Sequence, residues 1–124
     1  MKVKECMCSD ICYCMPDTKI SDVAKMMNEN HVGCIPVCNN DNCVVGILTD
    51  RDIILSLAKY ELDPANTSAS SIMSNKVYSV KPDADLKDAL DLMKKQRVRR
   101  LPVIENDMLL GMISLGDVAV HGNN

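Results

Sequence analysis

CMPDTKISDVAKMMNENHVGCIPV, residues 14 to 37, decides the fold, because a shift of 66 residues lays it over VKPDADLKDALDLMKKQRVRRLPV, residues 80 to 103. Pro16-Asp17 falls on Pro82-Asp83, Asp22 on Asp88, Met27 on Met93, Val32 on Val98 and Pro36-Val37 on Pro102-Val103. Asn40-Asp41 then falls on Asn106-Asp107, and one residue is lost in the turn that follows. Beyond it, VVGILTDRDI (44 to 53) lies over LLGMISLGDV (109 to 118). A collinear series of this length is the mark of a tandem duplication.

Each copy reads as strand, helix, strand, strand, helix. In the first, Thr18 is a candidate N-cap, and Ile20, Val23, Ala24 and Met27 keep the spacing of one buried helix face. In the second, Asp85 takes the cap position, and Leu86, Ala89, Leu90 and Met93 form the face. The short apolar runs at 35–37 and 44–48 flank an Asn/Asp-rich turn, as do those at 101–104 and 109–113, which predicts a hairpin in each copy. A second helix is predicted to start near Asp50 and near Leu115. The stretch ELDPANTSAS, residues 61 to 70, reads as the connection. The expected class is α/β (α+β), with tandem β-α-β-β-α repeats at 1–60 and 71–124, a linker at 61–70 and pseudo-twofold symmetry.

Composition narrows the function. The chain has 124 residues with no Phe or Trp, three Tyr, nine Met and seven Cys, so its core is aliphatic and sulfur-rich. Single-stranded nucleic acid is bound on aromatic platforms that this chain lacks. A net charge of −3 also argues against a phosphate backbone as partner. No apolar run approaches the length of a membrane span, and no secretory h-region follows Met1. The expectations are no nucleic acid, no membrane, and a reducing cytoplasm that keeps the thiols free.

Four of the cysteines crowd into nine positions as Cys6, Cys8, Cys12 and Cys14. The duplication supplies their reading: Cys6 matches Ile72, Cys12 matches Tyr78, Cys14 matches Val80 and Cys38 matches Ile104. Free Cys packs as a small hydrophobe, so Cys6, Cys14, Cys38 and Cys43 are expected in core positions. Their C-x-C-x3-C-x-C spacing is not that of a structural zinc site, and no metal is expected. A cysteine-based metal or redox sensor is the alternative. His31, at a predicted helix C-terminus, and His121, in the HGNN tail, have no acid and nucleophile arranged beside them, and no catalysis is assigned.

Chemistry concentrates in Gly46-Ile-Leu-Thr49-Asp50-Arg51-Asp52 and Gly111-Met-Ile-Ser114-Leu115-Gly116-Asp117. Both have the form G-h-h-[ST]-x-x-D at a strand-to-helix junction. As structure, that form is a capping box. As a site, the same carboxylate could accept hydrogen bonds from a ribose diol, with the hydroxyl and free helix N–H groups turned to a phosphate.

The twofold order PD-h-x-x-A-h-x-h-M, h-P-V, G-h-h-[ST]-x-x-D resembles a pair of cystathionine-β-synthase (CBS) domains, a Bateman module, over nearly the whole chain. The resemblance implies two repeats joined by their sheets, with clefts between them that bind adenosine-containing regulators: AMP, ADP, ATP, S-adenosylmethionine or NAD-type molecules. It implies ribose contacts from Asp52 and Asp117, and ribose or phosphate contacts from Thr49 and Ser114. Adenine would be lined by Cys14, Met15, Val80 and Lys81, and phosphate paired with Arg99 and Arg100, with Arg51 a further candidate. The chain departs from an even pair: Gly33-Cys34 stands where the second copy has Arg99-Arg100, and Asp50-Arg51 where it has Leu115-Gly116. The two clefts are expected to differ. The implied protein is a non-enzymatic regulator, needing no cofactor, that pairs as a homodimer and reports to an unknown effector protein. A structural dimerisation module without ligand is the remaining alternative.

Overall fold

The structure, a computed structural model, describes residues 1–121; the tail beyond His121 lies outside the described residues. In chain order it contains α1 (Val3–Cys6), α2 (Ile20–Asn30), β1 (Cys34–Cys38), β2 (Val44–Thr49), α3 (Asp50–Tyr60), α4 (Ala69–Ile72), α5 (Leu86–Gln96), β3 (Arg100–Glu105), β4 (Met108–Ser114) and α6 (Leu115–His121). The tandem repeat predicted from sequence is present, and the second helix of each copy starts at the expected residue.

The hairpins agree in register. Val37 faces Gly46 and Val103 faces Gly111, and a bulge follows Val37 and Val103 alike. The lost residue sits in the turns. The second hairpin turns through Asn106-Asp107, both at positive φ, the two-residue form whose twist matches its strands. The longer first turn is held by Asn39, whose Oδ1 accepts the amides of Asp41 and Cys43, each at 3.0 Å. The predicted leading strand is reduced in each copy to one parallel bridge, Cys14 with Val37 and Val80 with Val103. Pro36 O accepts Cys14 N at 3.0 Å and Cys14 O accepts Cys38 N at 2.9 Å; Val80 is bracketed in the same way by Pro102 and Ile104.

Two compact units result. One is continuous, Cys12–Val77; the other is split, joining Met1–Ile11 to the residues from Tyr78 onward. The repeats and the units are different divisions of the chain, because each repeat's leading segment is built into the unit that carries the other repeat's hairpin. Val3 N and Lys4 N donate to Ala84 O and Pro82 O at 2.8 and 2.9 Å, and their equivalents Ala69 N and Ser70 N donate to Thr18 O and Pro16 O at the same distances. Val3 and Ala69 are both fully buried. Val3 packs in a core with Leu86, Met93, Leu101 and Ile113, and Ala69 in a core with Ile20, Met27, Ile35 and Leu48.

Three local expectations are corrected. Thr18 does not cap α2: its Oγ1 accepts the Met15 amide at 3.0 Å, and the N-cap position falls to Lys19. Asp85 is at the N-cap of α5 but makes no capping hydrogen bond; its carboxylate pairs with Lys2 Nζ at 3.3 Å. Ala24 is exposed, because it stands at the margin of the arc defined by Ile20, Val23 and Met27, and its equivalent Leu90 is only half-buried. Non-glycine residues end α2, α3 and α5 in the left-handed region: His31, Glu61 and Arg97, with φ from 53° to 56°.

Candidate functional site

Both capping boxes form. Thr49 ends β2 as the N-cap of α3; Thr49 N donates to Asp52 Oδ2 at 3.0 Å, and Asp52 N donates to Thr49 Oγ1 at 3.0 Å. Ser114 N donates to Asp117 Oδ2 at 2.9 Å, and Asp117 N donates to Ser114 Oγ at 3.1 Å. The structural reading of these motifs therefore holds. It leaves the other one open, since each box uses Oδ2 and leaves Oδ1 outside it. All four side chains are half-buried, within reach of a ligand yet fixed in direction.

The strands place the next candidates. Cys34 is the register partner of Thr49, and Arg100 that of Ser114. One residue earlier, Asp50 N donates to Gly33 O at 2.9 Å and Leu115 N to Arg99 O at 2.8 Å, so Gly33 and Arg99 are structural equivalents. Arg99 and Arg51 are exposed and Arg100 is half-buried. Asp50 was not among the candidates. Its carboxylate lies over Gly33, where an added Cβ would stand 2.9 Å from Oδ2. The mismatch of Gly33 with Arg99 and of Asp50 with Leu115 is the sequence signal that points to it.

The adenine-side candidates occupy the far edge of the same sheets. β1 lies between the Cys14 bridge and β2, and β3 between the Val80 bridge and β4. Cys14 and Gly46 are thus two strand spacings apart, about 10 Å, and Thr49 lies three residues further along β2. Cys14 and Val80 are buried, and the N–H and C=O of each are bonded to the neighbouring strand; Met15 is half-buried and Lys81 exposed. A depression of about 480 Å³ in the split unit, lined by Met1, Asp85, Leu86, Lys87, Leu90, Val118 and His121, includes none of the candidate residues.

All seven cysteines are free thiols. Cys6, Cys14 and Cys38 are buried as expected, whereas Cys43 is only half-buried at the hairpin turn. Burial, reinforced by neighbouring thiols, pushes Cys14 and Cys38 up to about 11. Burial also raises Cys6 and Cys12. These are protonated, slow thiols. Among the described residues no three His, Cys, Asp or Glu side chains are grouped to hold a metal ion, and no helix is long and apolar enough to cross a membrane.

Comparison with known proteins gives these features a context. The sequence pattern of the CBS domain matches residues 3–59 and 69–122. The CBS domain-containing protein YhcV of Bacillus subtilis is 36% identical over 119 residues, which span 96% of this chain and 84% of that protein. The crystal structure of Hypoxic Response Protein I, with two coordinated zinc ions, superposes with a TM-score of 0.89 at 29% identity over 98% of both chains. The CBS domain pair of protein MJ0100, in complex with methylthioadenosine and S-adenosyl-L-methionine, has the same fold. Its TM-score is 0.87 at 20% identity, over 100% of this chain and 98% of that one.

Proposed function

Since the chain belongs to the CBS domain family as a tandem pair, we propose that it is a regulatory module that binds an adenosine-containing ligand through two hydroxyl–carboxylate pairs, Thr49 with Asp52 and Ser114 with Asp117. The observation that carries this reading is the duplicated box itself. In each copy the Thr49 or Ser114 amide donates to one carboxylate oxygen while the hydroxyl accepts the backbone amide of the same Asp, so the second carboxylate oxygen is directed without further ordering of the side chain. A ribose diol meeting that oxygen forms charge-assisted hydrogen bonds with a fixed acceptor.

The rest of the ligand follows from the sheets. At Cys14-Met15 and at Val80-Lys81 an adenine would rest by packing, because the N–H and C=O groups of Cys14, Met15 and Val80 are already hydrogen-bonded within the fold. Arg99 and Arg100 supply cations for phosphate beside Ser114, whereas Arg51, beside Asp52, has the Asp50 carboxylate on its own amide. MJ0100 holds adenosine compounds on the same fold, which supports the ligand class. The protein is read as a regulator rather than an enzyme, acting in the cytoplasm through an effector on another chain. Ile54, Leu55 and Tyr60 are exposed on α3, and this apolar surface supports a homodimer.

The test is thermal unfolding with AMP, ADP, ATP, S-adenosylmethionine, NAD and NADH. A ligand at a hundred times its dissociation constant adds about 2.7 kcal/mol of stability. A midpoint shift for an adenosine compound that is lost in Asp52→Ala or Asp117→Ala supports the reading and locates the site. No shift with any of them returns both motifs to capping boxes and leaves a dimerisation module.

A further inference from the structure

The two copies carry opposite charge beside their hydroxyl–carboxylate pairs. At the backbone position equivalent to Arg99, Gly33 has no side chain, and the space a Cβ would take is filled by the Asp50 carboxylate: an added Cβ would meet Asp50 Oδ2 at 2.9 Å and Cγ at 3.2 Å. The carboxylate is held in place because its Oδ1 accepts the Arg51 amide at 2.8 Å. At the next position the contrast repeats, with uncharged Cys34 opposite Thr49 and Arg100 opposite Ser114. Around Thr49, Asp50 and Asp52 stand against Arg51 alone. Around Ser114, Arg99 and Arg100 stand against Asp117.

Resting on the adenosine reading above, we propose that Asp50 is a specificity-determining residue: it makes the Thr49–Asp52 position refuse a 5′-phosphate and accept an adenosine whose 5′ end is neutral or cationic, a nucleoside, thioether or sulfonium. The Ser114–Asp117 position, flanked by Arg99 and Arg100, takes the phosphorylated ligand. A phosphate monoester carries close to two negative charges near neutral pH. Beside a carboxylate it is repelled, and the repulsion grows as the site loses water. A sulfonium in the same place is attracted. The chain would then read two ligands of opposite 5′ charge on one duplicated frame.

Calorimetric titration of the full chain tests this, with AMP and ATP as one group of probes and adenosine, methylthioadenosine and S-adenosylmethionine as the other. In the Arg99→Gln/Arg100→Gln variant AMP affinity should fall at least about tenfold, while the phosphate-free probes keep theirs. Those probes should lose binding in Asp52→Ala. Adding Asp50→Asn to the double variant should restore AMP binding on the order of tenfold, with methylthioadenosine unchanged. Circular dichroism confirms that each variant is folded, and Asp50→Asn leaves the capping pair untouched. The proposal is overturned if AMP binds the double variant as tightly as the parent and is lost in Asp52→Ala, or if the phosphate-free probes depend on Asp117 alone; the adenosine reading survives both results. If no probe binds the parent or any variant, the adenosine reading falls and the selectivity with it.

Discussion

Alanine at Gly111 should damage the fold more than alanine at Gly46, although the two glycines are equivalents in the duplicated motif. Neither has positive φ; both are required by close approach. A Cβ at Gly111 would stand 2.7 Å from Cys8 O and 2.9 Å from Met7 Sδ. The Cys8 carbonyl cannot yield freely. It accepts the Met112 amide at 3.0 Å, and Cys8 N donates back to Met112 O at 2.8 Å. At Gly46 the nearest atoms are Sδ and Cγ of Met73, at 2.5 and 2.9 Å, with Ser74 O at 3.1 Å. A thioether can swing aside, and the Ser74 carbonyl, though bridged to Ile47 as Cys8 is to Met112, stands at 3.1 Å where Cys8 O stands at 2.7 Å. Overpacking costs about 1–3 kcal/mol, and weakening a bridge hydrogen bond adds about 1 kcal/mol. Gly111→Ala is therefore expected to lose about 2–3 kcal/mol and Gly46→Ala about 1 kcal/mol. For a chain of this length that is roughly 8–12 °C against roughly 4 °C in thermal midpoint. Urea unfolding followed by circular dichroism measures both. A Gly111→Ala loss no larger than that of Gly46→Ala would refute the distinction between backbone and side-chain obstruction.

Three further outcomes follow from the site and the thiols. Asp52→Ala and Asp117→Ala each remove half of a capping box and should lower stability by about 1 kcal/mol even without ligand, measured by urea unfolding; a variant as stable as the parent would mean that the box contributes nothing to its helix. The raised Cys14 and Cys38 thiols hold their protons more tightly folded than unfolded, so their contribution is complete below the ordinary value of 9.0 and is lost as pH rises towards about 11. Stability should fall across that window, and the fall should flatten in Cys14→Val/Cys38→Val; an unchanged slope in that variant would assign the loss to other groups. At neutral pH a thiol reagent should modify exposed Cys8 first and buried Cys14 and Cys38 last, as mass spectrometry would show.

Much of this molecule is legible in the sequence because it is written twice. Hairpin positions follow from apolar runs around Asn/Asp turns, and the starts of α3 and α6 follow from hydroxyl and carboxylate at capping distance. Other features depend on contacts between distant residues. The four-residue helices α1 and α4 are too short to show a period, so nothing local announces that Val3 packs with Leu101 or Ala69 with Ile35. Thr18 has the chemistry of a cap, but the turn at Met15 takes its hydroxyl. The seat of Asp50 over Gly33 joins residues seventeen positions apart. Only their mismatch with Leu115 and Arg99 hints at it, and the mismatch gives the charge without the geometry.

The exchanged leading segments also set an order of events during synthesis. Cys12–Val77 is contiguous, and every strand and helix of its core is available once residue 77 has emerged. Residues 1–11 are made first and finish last. Val3 and Cys6 have no core to enter until β3, β4 and α5 exist, a wait on the order of several seconds at ordinary rates of translation. The loop that must then close contains the whole of the continuous unit, already folded, so the ends to be joined are held by a compact body rather than a loose chain. A fragment of residues 1–60 would keep an orphaned α1 and lack Ala69, leaving apolar surface bare in both places. The duplication thus yields a protein that cannot be divided between its repeats: the hairpin core of each copy is closed by the leading segment of the other.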